Sequence, residues 1–185
     1  MITEQDFQNA AKDIGCEVAA VKAVCTVEAP GGGFNLDGSL VSLFEGHKFH
    51  AFTKGIYDAA HPTISYLKWT TAFYGRTAAA EQARLAEAIA LDETSALMSA
   101  SFGKFQIMGF NFALCGFTSV QSFVNNLKES EGNHLLAFCQ YVKHVRLDDE
   151  LRDKCWAEFA RGYNGPEYQK NNYDKKLAAA YAKNV

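Results

Sequence analysis

The sequence predicts a mainly helical protein (α+β) that carries one small β-hairpin. Apolar residues recur at helical spacing in several segments, as Val18, Val21 and Val24 do. An Asp-Gly pair at residues 37–38 lies between two apolar-rich runs, which is the pattern of a hairpin turn. Because the chain is long enough to bury one core, residues 1–185 are expected to form a single domain.

Two helices are predicted at the N-terminus. Thr3 is suited to cap the first helix, and Gly15 is suited to end it. The second helix is expected over residues 16–28. It should stop ahead of Pro30, because a proline ring disfavours helical geometry in the residue before it. The last turn of this helix therefore holds Glu28.

The hairpin is expected over residues 34–44, with its second strand leading to Glu45. Residues 55–77, which include several aromatic side chains, are predicted to form a long loop. Pro166 is expected to begin the last helix, since proline is common at the first helical position. Further helices are predicted over residues 46–54, 77–90, 93–100, 101–113, 119–127, 131–145 and 148–161.

Composition and charge exclude several classes of protein. The net charge of -3 argues against broad nucleic-acid binding, which needs a basic surface. No apolar run reaches the length of a membrane-spanning helix, so no membrane partner is expected. The first residues lack the basic start and apolar core of a secretory signal. The cysteines form no Cys-x-x-Cys pair, and all of them are expected to be buried, reduced thiols.

Glu28 is the first candidate catalytic residue. The C-terminal end of a helix carries partial negative charge, which disfavours a charged carboxylate there. A carboxyl group in such a place tends to have a raised pKa, and a general acid needs a raised pKa. The alternative interpretation is a solvated glutamate that precedes a glycine-rich loop.

Four motifs follow one another along the chain: Glu-Ala-x-Gly-Gly-Gly-Phe, Leu-Phe-Glu-x-His-x-Phe, Ser-Phe-Gly-x-Phe-Gln-Ile-Met-Gly and Tyr-Asn-Gly-Pro. With them the chain resembles the N-acetylmuramidase catalytic domain of phage and prophage endolysins over residues 3–183. More distantly, it is similar to goose-type lysozymes and lytic transglycosylases. The resemblance implies a lysozyme-like fold whose hairpin lies beside the active-site cleft. It also implies cleavage of the β-1,4 bond between N-acetylmuramic acid and N-acetylglucosamine, with Glu28 as the catalytic acid.

Glu45 is the candidate for a second catalytic carboxylate. Most glycosidases use two carboxyl groups, and the separation between them decides whether the second is a nucleophile or orients a water. The alternative is that Glu45 forms an ion pair or cap that holds His47. Asp37, the other carboxylate in this region, is expected only to form the hairpin turn.

The remaining candidates are groups that bind the sugars. The amide of Gln106 and the backbone around it can bond N-acetyl and hydroxyl groups. Tyr163 is expected to donate to Glu28, and Asn164 to bond sugar or loop backbone. The alternatives are core packing and a helix-ending turn. The full set of predicted binding residues is Gly33, Phe34, His47, Ser101, Gln106, Met108, Tyr163 and Asn164.

Gly46 departs from the family pattern, which usually has arginine at this position, so no cationic role is carried over to it. Glu45, His47 and His50 have a loosely metal-like spacing. Because neither His-Glu-x-x-His nor paired cysteines are present, no metal is expected. No cofactor is expected either.

Two other functions fit the same motifs: a lytic transglycosylase, and a non-catalytic glycan-binding module of structural type. The expected partner in every case is the glycan strand of peptidoglycan, bound by a monomer. The resemblance suggests synthesis in the host cytoplasm without a signal peptide. Action on the periplasmic wall would then follow release by another factor. Without a separate wall-binding domain, targeting is expected to come from the catalytic groove.

Overall fold

The structure, a computed structural model, describes all 185 residues. Its ten α-helices and two short 3-10 helices together contain 56% of the residues, and its one sheet is small and antiparallel, so the predicted fold class is confirmed. The strands are β1 (Ser42–Phe44), β2 (Ala100–Phe102) and β3 (Ile107–Met108). The helices are α1 (Glu4–Ile14), α2 (Val18–Glu28), α3 (Gly46–Thr53), α4 (Ala78–Leu91), α5 (Glu93–Met98), α6 (Val120–Leu127), α7 (Glu131–His144), α8 (Asp148–Asp153), α9 (Trp156–Asn164) and α10 (Tyr173–Ala182).

The chain divides into two compact units, and the first of them is entirely helical. It comprises Met1–Gly32 and Ser130–Val185, and therefore contains α1, α2 and α7 to α10. Helix α2 packs against α1 and α10. The fully buried side chains of this unit include Leu135, Phe138 and Phe159. Of the apolar stripe predicted for α2, Val21 and Val24 are buried and Val18 is half-buried; the helix also buries three alanines outside that stripe.

The second unit, Gly33–Glu129, contains the sheet and α3 to α6. The strands lie in the order β1-β2-β3, and α4 packs against β1. Phe44, Phe49 and Phe123 are fully buried and form the aromatic part of its core. None of the helices in the chain is long and apolar enough to cross a membrane.

The sheet corrects two predictions. The Asp-Gly turn forms, but the run before it makes only the bridge between Phe34 and Leu40. Strand β1 pairs instead with β2. The predicted helix over 101–113 is wrong: most of it is β2, β3 and a short 3-10 turn. Gly103 and Gln106 have positive φ angles of 70° and 49°, which an α-helix does not accommodate.

Three predictions near the C-terminus are also wrong in detail. Residues 148–161 are divided between α8 and α9, because Lys154 adopts a left-handed conformation with φ of 60°. Pro166 lies in a turn, and the last helix starts at Tyr173. The break between α8 and α9 leaves Cys155 exposed, whereas Cys25, Cys115 and Cys139 are buried and Cys16 is half-buried. All five are thiols, not disulfides.

Candidate active site

Glu28 is the last residue of α2, as predicted, and its side chain is half-buried. The α2 helix ends here because Pro30 follows; the amide of Ala29 still bonds back to the carbonyl of Cys25 at 3.2 Å. Asn164, the last residue of α9, donates from Nδ2 to Glu28 Oε1 at 2.9 Å. Two helix ends of the first unit therefore meet at this carboxyl group.

The pKa of Glu28 is raised above its ordinary value of 4.5. Burial is the main cause, since removal from water disfavours the charged form. The Asn164 hydrogen bond and the positive charge of Lys176, on α10, act in the opposite direction by favouring the carboxylate. Burial thus favours the protonated form of Glu28, while Asn164 and Lys176 favour its carboxylate form.

Tyr163 lies one residue before Asn164 on α9, with its ring packed among aromatic side chains. Its ring is stacked on Phe159 at 5.7 Å and meets Phe138 edge-on at 5.6 Å. This packing fixes the C-terminal turn of α9. It therefore helps to fix the position of the Asn164 amide beside Glu28.

Glu45 links the end of β1 to the start of α3 in the second unit. Its Oε1 accepts a hydrogen bond of 2.7 Å from the hydroxyl of Tyr74. Its Oε2 lies 3.3 Å from Nδ1 of His47, a distance typical of an ion pair, but the two atoms are not aligned for a hydrogen bond. Oε2 is therefore the oxygen of Glu45 that no hydrogen bond holds.

Ser101, Gln106 and Met108 belong to the β2–β3 hairpin. Ser101 pairs with Met108 in the sheet, and its hydroxyl donates to Oε1 of Gln106 at 2.9 Å. The Gln106 amide nitrogen donates to the carbonyl of Gly103 at 2.8 Å. Gln106 is exposed and has a left-handed backbone, a strained conformation for a non-glycine residue. The hairpin tip is thus held in one defined shape.

Gly33 and Phe34 connect to this hairpin through a single backbone residue. Val41 donates its amide to the carbonyl of Gly33 at 3.0 Å and accepts at its own carbonyl from the amide of Gly103 at 2.8 Å. The structure therefore brings together five predicted binding residues of the second unit, namely Gly33, Phe34, Ser101, Gln106 and Met108. In the first unit it brings Asn164 to Glu28.

Gly46, where the resemblance leads us to expect arginine, has no room for a side chain. An added Cβ at this position would overlap the ring of Tyr66 and lie 2.5 Å from the carbonyl oxygen of Ile64. A cation is nevertheless present in the same unit. The guanidinium of Arg84, on α4, lies over the rings of Phe44 and Tyr74 at 5.4 and 5.8 Å.

The sequence motifs miss two residues that interact with the candidate carboxylates, Tyr74 by a hydrogen bond to Glu45 and Lys176 by its charge on Glu28. The signal for Tyr74 is the concentration of aromatic residues within 55–77, which is too general to select one of them. Nothing in the sequence singles out Lys176 among the lysines of α10. Packing of α10 against α2 is what gives it influence on Glu28.

A mainly helical fold with a small antiparallel sheet and a half-buried glutamate at a helix end defines a lysozyme-like protein. The model of the N-acetylmuramidase family matches residues 17–184, so the chain belongs to this family. It is similar to the crystal structure of a Burkholderia AP3 phage endolysin, with 39% identity and a TM-score of 0.91. That match covers 98% of this chain and 71% of the endolysin. No curated protein sequence matches this chain. Family membership supports a peptidoglycan hydrolase.

Proposed function

We propose that this protein is an N-acetylmuramidase that cuts the β-1,4 bond between N-acetylmuramic acid and N-acetylglucosamine in peptidoglycan. Residues 1–185 act as one catalytic domain, as a monomer and without a cofactor. The observation that carries the proposal is the environment of Glu28, a carboxyl group whose burial raises its pKa at the end of a packed helix. Membership in the N-acetylmuramidase family and likeness to a phage endolysin support the choice of substrate.

Glu28 is the general acid of the proposed reaction. It donates its proton to the glycosidic oxygen as positive charge develops on the sugar. The negative charge that remains on Glu28 is stabilised by the 2.9 Å hydrogen bond from Asn164 and by Lys176. General acid catalysis of this kind contributes about 10²–10⁴-fold to the rate.

Glu45 is the second carboxylate of the proposed reaction. The hydroxyl of Tyr74 fixes Oε1, whereas Oε2 is buried and accepts no hydrogen bond in this structure. In the proposed reaction Oε2 is the oxygen that acts on a water or on the sugar. The anomeric form of the first product, followed by proton NMR, distinguishes these two roles. Inversion indicates an activated water and retention a covalent intermediate.

Glu45→Gln tests whether this carboxylate is catalytic or an anchor for His47. The catalytic role predicts that turnover falls strongly while the melting temperature stays close to that of the wild type. If the variant instead loses stability, and its activity falls only as much as its folded fraction does, Glu45 is an anchor for His47. Asp37→Asn is the matched control, since the Asp37 carboxylate accepts hydrogen bonds from Ser39 within the turn.

The sugars bind along the backbone and polar side chains of the hairpins. The Ser101–Gln106 pair and the backbone at Gly33 and Phe34 take hydroxyl and N-acetyl groups, and Met108 supplies an apolar contact. His47 contacts the substrate beside Glu45. Tyr163 and Asn164 complete the set beside Glu28.

Product analysis of purified sacculi tests the proposal. Digests are reduced with borohydride and analysed by mass spectrometry. Reduced muramic acid ends are the expected result. Anhydro-muramic ends would indicate a lytic transglycosylase, and reduced glucosamine ends a different bond specificity. Retention of sacculi on the protein without any soluble product would indicate a glycan-binding module.

A further inference from the structure

The second unit presents a large aromatic side chain to solvent close to Glu45. Trp69 is 64% exposed, and Leu67 in the same segment is 70% exposed. Trp156, by contrast, is half-buried and packs on Tyr181 with ring centroids 5.5 Å apart. An exposed cluster of large apolar groups in a folded protein commonly marks a place where a ligand binds.

The segment that carries Trp69, residues 66–74, is held in place by contacts on both sides of this tryptophan. The rings of Tyr66 and Phe73 pack against each other at 5.1 Å. Within the turn, the amide of Ala72 donates to the hydroxyl of Thr70 at 3.1 Å, and the amide of Tyr74 donates to the carbonyl of Thr71 at 3.1 Å. The indole is thus held out on an ordered turn, so a ligand binds to it with little loss of conformational entropy.

Tyr74 connects this indole to Glu45. Its hydroxyl donates to Glu45 at 2.7 Å. Burial and Glu45 raise the pKa of Tyr74 to about 12, whereas hydrogen bonding from the Trp69 side chain lowers it. Tyr74 therefore remains a donor across the working range of pH. Trp69 and Tyr74 belong to the same ordered segment, so the hydrogen bond from Tyr74 to Glu45 places the indole near this carboxylate.

We propose that Trp69 is a carbohydrate-binding platform, on which one N-acetylhexosamine ring of the glycan strand stacks next to Glu45. The C–H-rich face of a pyranose ring is apolar and weakly positive, and it complements the negative face of an indole. The proposal rests on the proposed function. Glycan is the occupant that suits the neighbouring carboxylate, since both Glu45 and the net charge of -3 oppose an anionic surface.

The binding test uses the two tryptophans as probe and internal control. Wild-type protein is titrated with N-acetylglucosamine tetramer, and the indole N–H resonances are followed by NMR. They are assigned with the Trp69→Phe and Trp156→Phe variants. The resonance of Trp69 is expected to shift with a saturable dependence, while that of Trp156 stays in place. No shift at Trp69, or an equal shift at both, overturns the proposal.

A fluorescence experiment distinguishes a glycan from a lipid surface as the ligand of Trp69. The Trp156→Phe variant leaves Trp69 as its only tryptophan, and its emission is recorded with phosphatidylglycerol vesicles and separately with the tetramer. The proposal predicts a response to the tetramer alone. A blue shift with vesicles and none with the tetramer would assign Trp69 to membrane binding and overturn the proposal.

Kinetics on purified peptidoglycan provide the functional test. Trp69→Ala is expected to raise KM about tenfold with kcat changed much less, since stacking binds substrate without touching the reacting bond. Trp69→Phe should recover most of the affinity, and Trp156→Phe should behave as wild type. Melting temperatures are compared, because a solvent-exposed substitution should leave stability unchanged.

Failure of this inference is distinguishable from failure of the proposed function. If the wild type releases muramic ends but Trp69→Ala keeps its KM, the platform is wrong and the proposed function stands. If the wild type releases none, the proposed function fails, and the NMR titration still decides whether Trp69 binds the tetramer.

Discussion

At the scale of single residues, the environment of Glu28 acts on its pKa in two opposite directions. Burial raises the pKa of the carboxyl group, while Asn164 and Lys176 lower it by favouring the carboxylate. A general acid in a glycosidase must give up and recover its proton in every cycle. With burial alone, Glu28 would hold its proton too tightly to donate it. With Asn164 and Lys176 but no burial, Glu28 would already be ionised before the reaction.

Asn164→Ala tests this balance. Loss of the hydrogen bond removes a group that lowers the pKa of Glu28, so that pKa should rise further. Because the protonated form is the active one, the basic limb of the kcat/KM profile should move to higher pH. Asn9→Ala, an exposed substitution on α1, is the control. A basic limb that stays in place, or moves to lower pH, would contradict the role of Asn164.

Gly46 supplies a second prediction at this scale, based on the space around it. Gly46→Ala would place a methyl group against the ring of Tyr66 and the carbonyl of Ile64. Overpacking of this kind typically costs about 1–3 kcal/mol. Chemical denaturation should show this loss, and Gly46→Arg should lose at least as much. At Gly31 an added Cβ meets no atom within 4 Å, so Gly31→Ala should be close to neutral. A Gly46→Ala variant as stable as Gly31→Ala would refute the steric argument.

At the scale of elements, Glu81 joins α4 to two other segments of the second unit. Its carboxylate accepts hydrogen bonds from the amide of Phe44 in β1 and from the amide of Gly75, and it pairs with Arg84 at 3.0 Å. The carboxylate and the guanidinium are only 9% and 12% exposed. This pair therefore fixes β1, and with it the backbone that leads to Glu45.

Glu81→Gln should be strongly destabilising. The amide keeps the shape but leaves the Arg84 charge buried without its partner, and breaking a buried pair in this way costs about 3–5 kcal/mol. Urea denaturation provides the measurement, with the exposed Glu93→Gln on α5 as control. If both variants lost the same small amount, the buried pair would not be what fixes β1.

Local sequence signals were enough to predict some of the helices and their ends, but not the pairing of the strands. The cap at Thr3, the left-handed Gly15 with φ of 80° and the end of α2 at Glu28 each depend on a few adjacent residues, and all were predictable. The pairing of β1 with β2 was not, because the strands are separated by more than fifty residues and nothing in either run specifies its partner. Strand β2 was predicted as helix since its apolar residues suit either structure.

The same distinction applies to the candidate site. Glu28, Glu45 and Gln106 are found from motifs, since their neighbours in sequence carry the signal. Tyr74 and Lys176 are found only from packing, because they act on carboxylates distant in sequence. Asn164, the neighbour of Tyr163, donates to Glu28 from the end of α9, a bond that its place in the motif did not predict, and donation by Tyr163 stays a prediction.

At the scale of the whole molecule, the raised pKa of Glu28 makes stability depend on pH. The folded state holds this proton more tightly than the unfolded chain, whose pKa is near 4.5. The resulting contribution is complete below that value and is lost as pH rises through the folded pKa.

Glu28→Gln should therefore be at least as stable as the wild type at neutral pH. It no longer has to bury a charge there, and the advantage should disappear as the pH falls below 4.5, where wild-type Glu28 is protonated in both states. Melting temperatures over a pH series measure this. A variant that is less stable than the wild type at neutral pH would show that the buried carboxylate is structurally required.

The most direct test of the central claim is the rate at which Glu28→Gln releases muramic reducing ends from purified peptidoglycan, compared with the wild type at equal folded fraction. Loss of the transferable proton should reduce that rate by about 10²–10⁴-fold while the fold is retained. A folded Glu28→Gln variant that keeps more than about a tenth of the wild-type rate would contradict the assignment of Glu28 as the general acid, since its loss should cost at least about a hundredfold.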